Sequence, residues 1–161
     1  MKLRIGQGFD VHKTTDGNHL IIGGVKLSSS FGIEAHSDGD VLIHAVIDSL
    51  LGAMGLGDIG SFFPDNDDKY RNISSLVLLK ETKFLLDKNN YSVINIDSTV
   101  VLQEPKLSVY RSQMRKNIAK VLEISHEDVS VKFTTTEKLG FEGEKKGISA
   151  QAVCLIQKNT V

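Results

Sequence analysis

This chain is short of the residues that staple or punctuate a fold. It has one cysteine, Cys154, so no disulfide can close within it and no four-thiolate metal centre can form. Cys154 lies in Ala152-Val153-Cys154-Leu155-Ile156, where a small buried hydrophobe is the expected role. There is no tryptophan, there are two prolines in 161 residues, and no low-complexity tract or repeat marks a boundary. The span 1–161 is therefore read as one domain, long enough to bury about two-thirds of its unfolded surface. An excess of one charge is also missing, with 19 Lys and Arg against 20 Asp and Glu and a formal net charge of −1. That removes the field a nucleic-acid binder needs, and no basic stripe interleaved with aromatics replaces it. No apolar run approaches the ~18 residues of a membrane span, and no signal peptide is read ahead of the first strand. What remains, 40% apolar and 24% charged, is the profile of a globular protein, and a reducing cytoplasm fits it.

What is present is a concentration of potential metal ligands. Four of the five histidines, His12, His19, His36 and His44, fall before residue 45 in a segment dense in Asp and Gly. In Gly8-Phe9-Asp10-Val11-His12 a strand sends Asp10 and His12 to one face, because side chains at i and i+2 project together. His44 closes Ala35-His36-Ser37-Asp38-Gly39-Asp40-Val41-Leu42-Ile43-His44 and falls in the first turns of the helix that follows. Two imidazoles and a carboxylate with a fourth position open is how a catalytic zinc is commonly held. A packed histidine and a solvated Asp-x-His pair are the plainer alternatives, and the clustering weighs against them. Asp40 and Asp48 lie four residues either side of His44, so either could orient its imidazole, cap a helix or stay exposed. His19 and His126 join no such group and are read as surface residues.

Residues 2–13 alternate as a strand, with Ile5, Phe9 and Val11 on one face and Gly6, Gly8, Asp10 and His12 on the other. The small residues of that second face are expected to leave room for a ligand. Leu20-Ile21-Ile22 and Gly23-Gly24 read as a short strand and a turn. Asp38 or Asp40 caps a helix running to about Met54, which Gly55 and Gly57 end. A second helix covers 74–88, with Ser74 as candidate cap and Asn89-Asn90 as the stop. Residues 91–103 read as a strand with Ile94, Ile96, Val100 and Leu102 facing one way and Asn95, Asp97 and Thr99 the other. A third helix, from about Ser108 to Glu123, shows Tyr110, Met114, Ile118, Val121 and Leu122 at helical spacing. Val129, Val131 and Phe133, then Ile148, Ala150, Ala152, Cys154 and Ile156, make two last strands. The order β-β-α-α-β-α-β-β predicts an α+β sheet with helices on one face.

Four connecting segments look unlike ordinary turns. Gly55-Leu56-Gly57-Asp58-Ile59-Gly60 leads to Phe62-Phe63-Pro64-Asp65-Asn66-Asp67, where Asp58, Asp65 and nearby backbone could meet a hydroxylated substrate; an acidic surface turn is the plain reading. Glu104-Pro105-Lys106 ends the long strand with a lysine able to meet a phosphate or a base, or to stay solvated. Thr134-Thr135-Thr136-Glu137-Lys138-Leu139-Gly140-Phe141 leaves a strand with successive hydroxyls that can line a diphosphate, and one carboxylate that can help hold Mg²⁺ beside it. His36-Ser37 lies between the two parts of the metal group, and a donor there can steady charge on a transferring phosphoryl group.

Gly8-Phe9-Asp10-Val11-His12, Ala35 to Val41, Leu56-Gly57-Asp58-Ile59-Gly60, Phe63-Pro64-Asp65 and Thr134 to Phe141 together resemble the 2-C-methyl-D-erythritol 2,4-cyclodiphosphate synthase family, in the same order and spacing from about residue 3 to 157. The resemblance implies an α/β, ferredoxin-like mixed sheet, a homotrimer with active sites between subunits, and release of CMP from a cytidine diphosphate substrate as a cyclic diphosphate forms. It implies zinc on Asp10, His12 and His44, and Mg²⁺ or Mn²⁺ held with Glu137. By the same resemblance Asp10, Val11, His12, His36, Ser37, Asp58, Ile59, Gly60, Phe63, Pro64, Asp65, Asn66 and Asp67 border the methylerythritol phosphate. Leu102, Gln103, Glu104, Pro105, Lys106, Thr134, Thr135, Thr136, Glu137 and Phe141 border the cytidine diphosphate, with His36 and Thr135 steadying the transition state. Where relatives often carry an arginine after Phe-x-Gly this chain has Glu144, then Lys145 and Lys146, and Gln151 stands where they often carry glutamate. In the family those positions lie near the trimer's central channel, and Glu144 there argues against an isoprenoid diphosphate bound in it unless Lys145 or Lys146 substitutes.

Overall fold

In a computed structural model describing residues 2–159, the chain runs β1 (Lys2–Thr15), β2 (His19–Ile22), β3 (Val25–Ser28), β4 (Gly32–Ile33), α1 (Val41–Met54), α2 (Ile59–Phe62), α3 (Ser75–Lys88), β5 (Tyr91–Val101), α4 (Arg111–Leu122), β6 (Val129–Thr134), α5 (Gly140–Gly143) and β7 (Gly147–Lys158). Five strands make one mixed sheet in the order β4-β1-β7-β5-β6, and β2 and β3 form a separate hairpin. β1 and β5 flank β7 antiparallel, whereas β5 and β6 run parallel and are joined through α4, as a parallel pair requires. The expected mixed sheet with helices is therefore observed. The sequence pattern missed β3, β4, α2 and α5, which are two to four residues long and too short to show a period.

The even residues of β1 and β7 face α1. Gly6 and Gly8 stand opposite Cys154 and Ala152, and the helix backbone lies directly on them. A Cβ on Gly6 would meet Ser49 O at 1.9 Å, and one on Gly8 would meet Ala45 O at 2.0 Å. The expectation that these glycines leave space for a ligand is corrected here: α1 fills that space. The odd face is the bare one, with Leu3, Ile5, Phe9, Val11 and Val153 all large, apolar and exposed, Ile5 to 72%. The core is sealed on the other side by α1, whose Val41 to Ile47 are buried without a break, with Leu79 and Leu86 of α3 and Met114 and Ile118 of α4.

One local expectation is resolved and two change. Asp40, not Asp38, caps α1, and its carboxylate also accepts from Gly23 N at 2.9 Å and Gly24 N at 2.7 Å, pinning the glycine turn of the β2–β3 hairpin to the helix start. Both glycines have positive φ, 60° and 69°, which suits this tight turn. Complete burial pushes the Asp40 carboxyl up to about 6 while those N–H groups pull the other way. Ser74 makes no cap bond to α3; Asp38 supplies it from 37 residues away, accepting from Ser75 N at 2.9 Å. In β5 the register slips between Val93 and Asn95, so Tyr91 and Val93 point inward before the slip and Ile96, Ser98 and Val100 after it. Ile94 sits at the slip, half-buried, and not in the core row.

At the outer edge of the sheet, β6 turns its unpaired carbonyls toward α4. Arg111 Nε donates to Val131 O at 3.1 Å and Arg115 Nε to Val129 O at 2.7 Å. Among the described residues no helix is long and apolar enough to cross a membrane. Gly8→Ala is expected to lower stability by about 1–3 kcal/mol through overpacking, because α1 must lift off β1; denaturant unfolding that matches wild type would contradict this account of the contact.

Candidate metal centre and adjoining clefts

The close contact of α1 with β1 sets the geometry of the site. Asp10 and His12 project from β1 toward the helix, and His44 meets them from its first turn, its own N–H bonded to Asp40 O at 3.0 Å. His12 Nε2 lies 3.0 Å from Asp10 Oδ2, His44 Nδ1 lies 3.1 Å from the same oxygen, and the two ring nitrogens are 3.1 Å apart. A tetrahedral cation with bonds of about 2.0–2.2 Å spaces its donors by roughly 3.4 Å. Two imidazole nitrogens and a carboxylate oxygen converging this tightly match one face of such a tetrahedron, so the donor set fits a divalent cation of zinc's type. Burial opposes charge on Asp10, but the hydrogen bonds and charge of His12 and His44 outweigh it and hold the carboxyl below its ordinary value. Burial likewise disfavours a charged His44, yet Asp10, then Asp40 and Asp38, lift its pKa.

These three side chains line a cleft of about 960 Å³ with His36, Ser37, Ile59, Gly60, Phe63, Pro64, Asp65 and Asn66. Apart from His44, read as a metal ligand alone, all were expected from the family resemblance to border the methylerythritol phosphate; Lys13, Glu34, Ala35, Tyr70 and Leu78, which also line the cleft, were not. His36 Nε2 donates to Asp67 O at 3.0 Å, and Asn72 N donates to His36 O at 2.8 Å, stitching the two walls together. Phe63 packs edge-on to Tyr70. The carboxylates of Asp58 and Asp67 are taken up in their own turns: Asp58 accepts from Ser61 N and Oγ, which hold it below the usual carboxylate range, and Asp67 accepts from Lys69 N.

Neither the Asp40 nor the Asp48 carboxylate hydrogen-bonds the His44 imidazole. Asp40 is the cap described above, and Asp48 accepts from Ile59 N at 3.1 Å, docking α2 on α1. The partner of His44 Nε2 is Ser75 Oγ at 2.8 Å, with Ser37 Oγ at 3.2 Å. Sequence reasoning missed Ser75, because a serine opening a helix reads as cap chemistry and nothing in its neighbourhood points 31 residues back.

A second hollow of about 260 Å³ lies beyond β7, lined by Leu102, Gln103, Pro105, Lys106, Thr134 and Thr135 together with Leu107, Ser108, Arg111 and Phe133. Arg111 stacks its guanidinium 5.3 Å from the Phe133 ring centre, a pair the sequence did not single out. Glu104 is paired with Lys145 at 2.8 Å, Lys146 with Glu144, and Thr136 donates to Leu139 O. Glu137, in the left-handed region at φ 55°, accepts from Thr135 Oγ1 at 3.3 Å. The Phe141 ring lies against Gly147. Val11, Ser149, Val101 and Thr134 stand side by side on β1, β7, β5 and β6. Three strand spacings, about 14 Å, thus separate the row of the metal group from the Thr134 end. Within one chain the two groups are not brought together.

The comparisons with known proteins agree with these features. The YgbB family model matches residues 3–157. The 2-C-methyl-D-erythritol 2,4-cyclodiphosphate synthase of Clostridium tetani is 54% identical over 157 residues, 98% of this chain and 99% of its own length, and that of Syntrophomonas wolfei is 54% identical over 97% and 99%. Among solved structures, the bifunctional IspDF of Campylobacter jejuni superposes with a TM-score of 0.94 at 41% identity, over 98% of this chain and 43% of that one. The IspF of Plasmodium falciparum in complex with CDP gives 0.85 at 41% identity, over 98% and 97%. The chain belongs to the YgbB family, as its motifs led one to expect.

A cation must displace the proton that His44 holds more tightly than a free imidazole does. Bound metal is therefore expected to be retained at high pH and lost as the pH falls, starting from a higher pH than a free imidazole would give. Asp10→Asn should cut occupancy at every pH. Metal analysis after dialysis at pH 5, 6, 7 and 8 checks both, and a flat retention profile would refute the ligand assignment.

Proposed function

We propose that this chain is a cyclodiphosphate synthase, converting 4-diphosphocytidyl-2-C-methyl-D-erythritol 2-phosphate into 2-C-methyl-D-erythritol 2,4-cyclodiphosphate with release of CMP, a step of the non-mevalonate route to isoprenoid precursors. The observation that carries this is the convergence of Asp10, His12 and His44 beside a cleft lined by His36, Ser37 and Phe63 to Asn66, in a chain matched along nearly its whole length by synthases of that name.

The attacking group is the substrate's own 2-phosphate, anionic at neutral pH, so the chain has no need of a nucleophile or a general base. Its task is to hold a flexible molecule bent, with that oxygen behind the β-phosphorus, and positioning of this kind is worth about 7–11 kcal/mol. In this reading His36, Ser37, Ile59, Gly60 and Phe63 to Asn66 hold the methylerythritol phosphate, and Asp58 and Asp67 shape the turns that present them. Leu102 to Lys106 and Thr134 to Thr136 hold the cytidine diphosphate, while Phe141 backs the last turn. His36 and Thr135 donate to phosphoryl oxygens as charge builds there. When bound, zinc at Asp10, His12 and His44, and Mg²⁺ or Mn²⁺ at Glu137, supply positive charge to those oxygens. Glu137 suits the harder ion, being a single exposed carboxylate that leaves the rest of the shell to phosphates and water.

The working form is, in this proposal, a homotrimer of ferredoxin-like units. Two observations support it: the bare apolar face of β1 and β7, and the ~14 Å between the two halves of the site, which a neighbouring subunit would bridge. The cytoplasm suits its buried free Cys154.

Phosphorus NMR of the reaction should show a cyclic diphosphate and CMP in equal amounts; a linear diphosphate or inorganic phosphate instead would mark a hydrolase. Thr135→Ala should lower turnover by about 10²-fold with little change in substrate affinity, since its donor acts on developing charge. A loss confined to affinity would contradict that role. Ile5→Asp combined with Phe9→Asp should give a folded monomer by light scattering, and a variant that still elutes as the trimer would contradict the assigned interface.

A further inference from the structure

The hydrogen bonds on the far side of the His44 ring call for a proton on its Nε2. Ser75 is completely buried at the start of α3, and its hydroxyl rests against Asp38 Oδ1 and 2.8 Å from His44 Nε2. A carboxylate only accepts, so the single hydroxyl proton goes to Asp38. The oxygen of Ser75 is then left to accept, and the donor beside it is an N–H on His44 Nε2. Nδ1 meets Asp10 and His12 at 3.1 Å and holds a proton toward the Asp10 carboxylate only while no cation is bound; with Nε2–H kept on Ser75, a cation that replaces that proton finds the Nδ1 lone pair. With a proton on Nδ1 alone, the hydroxyl would face two acceptors with one proton, and Nε2 would lose its bond to Ser75. Asp38 is itself anchored, accepting from Ser75 N at 2.9 Å and from Asp40 N at 3.3 Å. Ser37 Oγ, 3.2 Å from the same Nε2, is a longer second acceptor and takes a bond from Gly39 N.

We propose that Asp38 and Ser75 form a relay that holds His44 in its Nε2–H tautomer and so sets the affinity of the three-donor group for its cation. The proposal rests on the reading of Asp10, His12 and His44 as ligands. Ser75 touches neither cation nor substrate; it is a positioning residue acting through His44. A partner on the far ring nitrogen commonly fixes both tautomer and orientation of a ligating histidine, and its loss typically costs 10–100-fold in metal affinity. Here the partner is a hydroxyl backed by a carboxylate, and that carboxylate also starts α3. One group therefore couples the seating of a helix to the aim of a ligand.

The test is zinc affinity of the full metal-free chain, measured by competition with a chromophoric chelator, together with thermal unfolding without metal. Ser75→Ala keeps the Ser75 N to Asp38 bond, so its metal-free unfolding should stay close to that of wild type, while zinc binds about 10–100-fold more weakly. Asp38→Asn, which keeps one oxygen for the α3 cap but none for the hydroxyl, should weaken zinc by a similar factor. A merely structural Ser75 would lower metal-free stability and leave affinity alone. Wild-type affinity in either folded variant overturns the relay and leaves the ligand reading standing. A wild-type chain that takes up no zinc, or takes up as much after His44→Ala, overturns the ligand reading and the relay with it.

Discussion

The closeness of one helix to one strand governs this protein. α1 lies on β1 so tightly that no side chain fits at Gly6 or Gly8, and only that approach brings the His44 ring to Asp10 and His12 two residues further along the strand. Were the helix held at an ordinary sheet–helix distance, the imidazole would stop short of the carboxylate, and the strand pair would be an isolated Asp-x-His. The two aspartates that follow Ser37, Asp38 half-buried and Asp40 buried, serve the same end. Asp40 fixes where α1 starts and ties it to the β2–β3 turn, and Asp38 fixes where α3 starts. Fold and site are thus specified by the same few contacts.

Much of the site was legible because its chemistry follows simple periods. Asp10 and His12 are two apart on a strand and must share a face, and Asp40 sits four residues before His44 with a helix plainly following. What the period could not convey was which face of β1 lay inward. Small residues read as vacancy, yet vacancy along a strand serves equally for a close-packed helix, and only the tertiary arrangement decides between them. The relay through Ser75 was hidden for a different reason. Its partners lie 31 and 37 residues away, and a serine at a helix start has an ordinary local explanation.

The slip in β5 shows another limit. Alternation read straight through 91–103 assigns Ile94 to the core, and one extra residue reverses the parity of everything before it. The motif Thr134 to Phe141 was recognisable, but its place relative to the metal group was not. Register across four strands sets that distance, and no local pattern carries it. The fold therefore sets the metal group and the Thr134 segment apart within one chain, a separation that the linear motifs do not convey.

The guanidinium groups of Arg111 and Arg115 have an effect beyond holding α4 in place. The strand they cap is the sheet's last, and its outward carbonyls would otherwise be open to any passing extended segment. With those two acceptors occupied, an added strand would find fewer partners along that margin, so growth of the sheet by strand addition is disfavoured there.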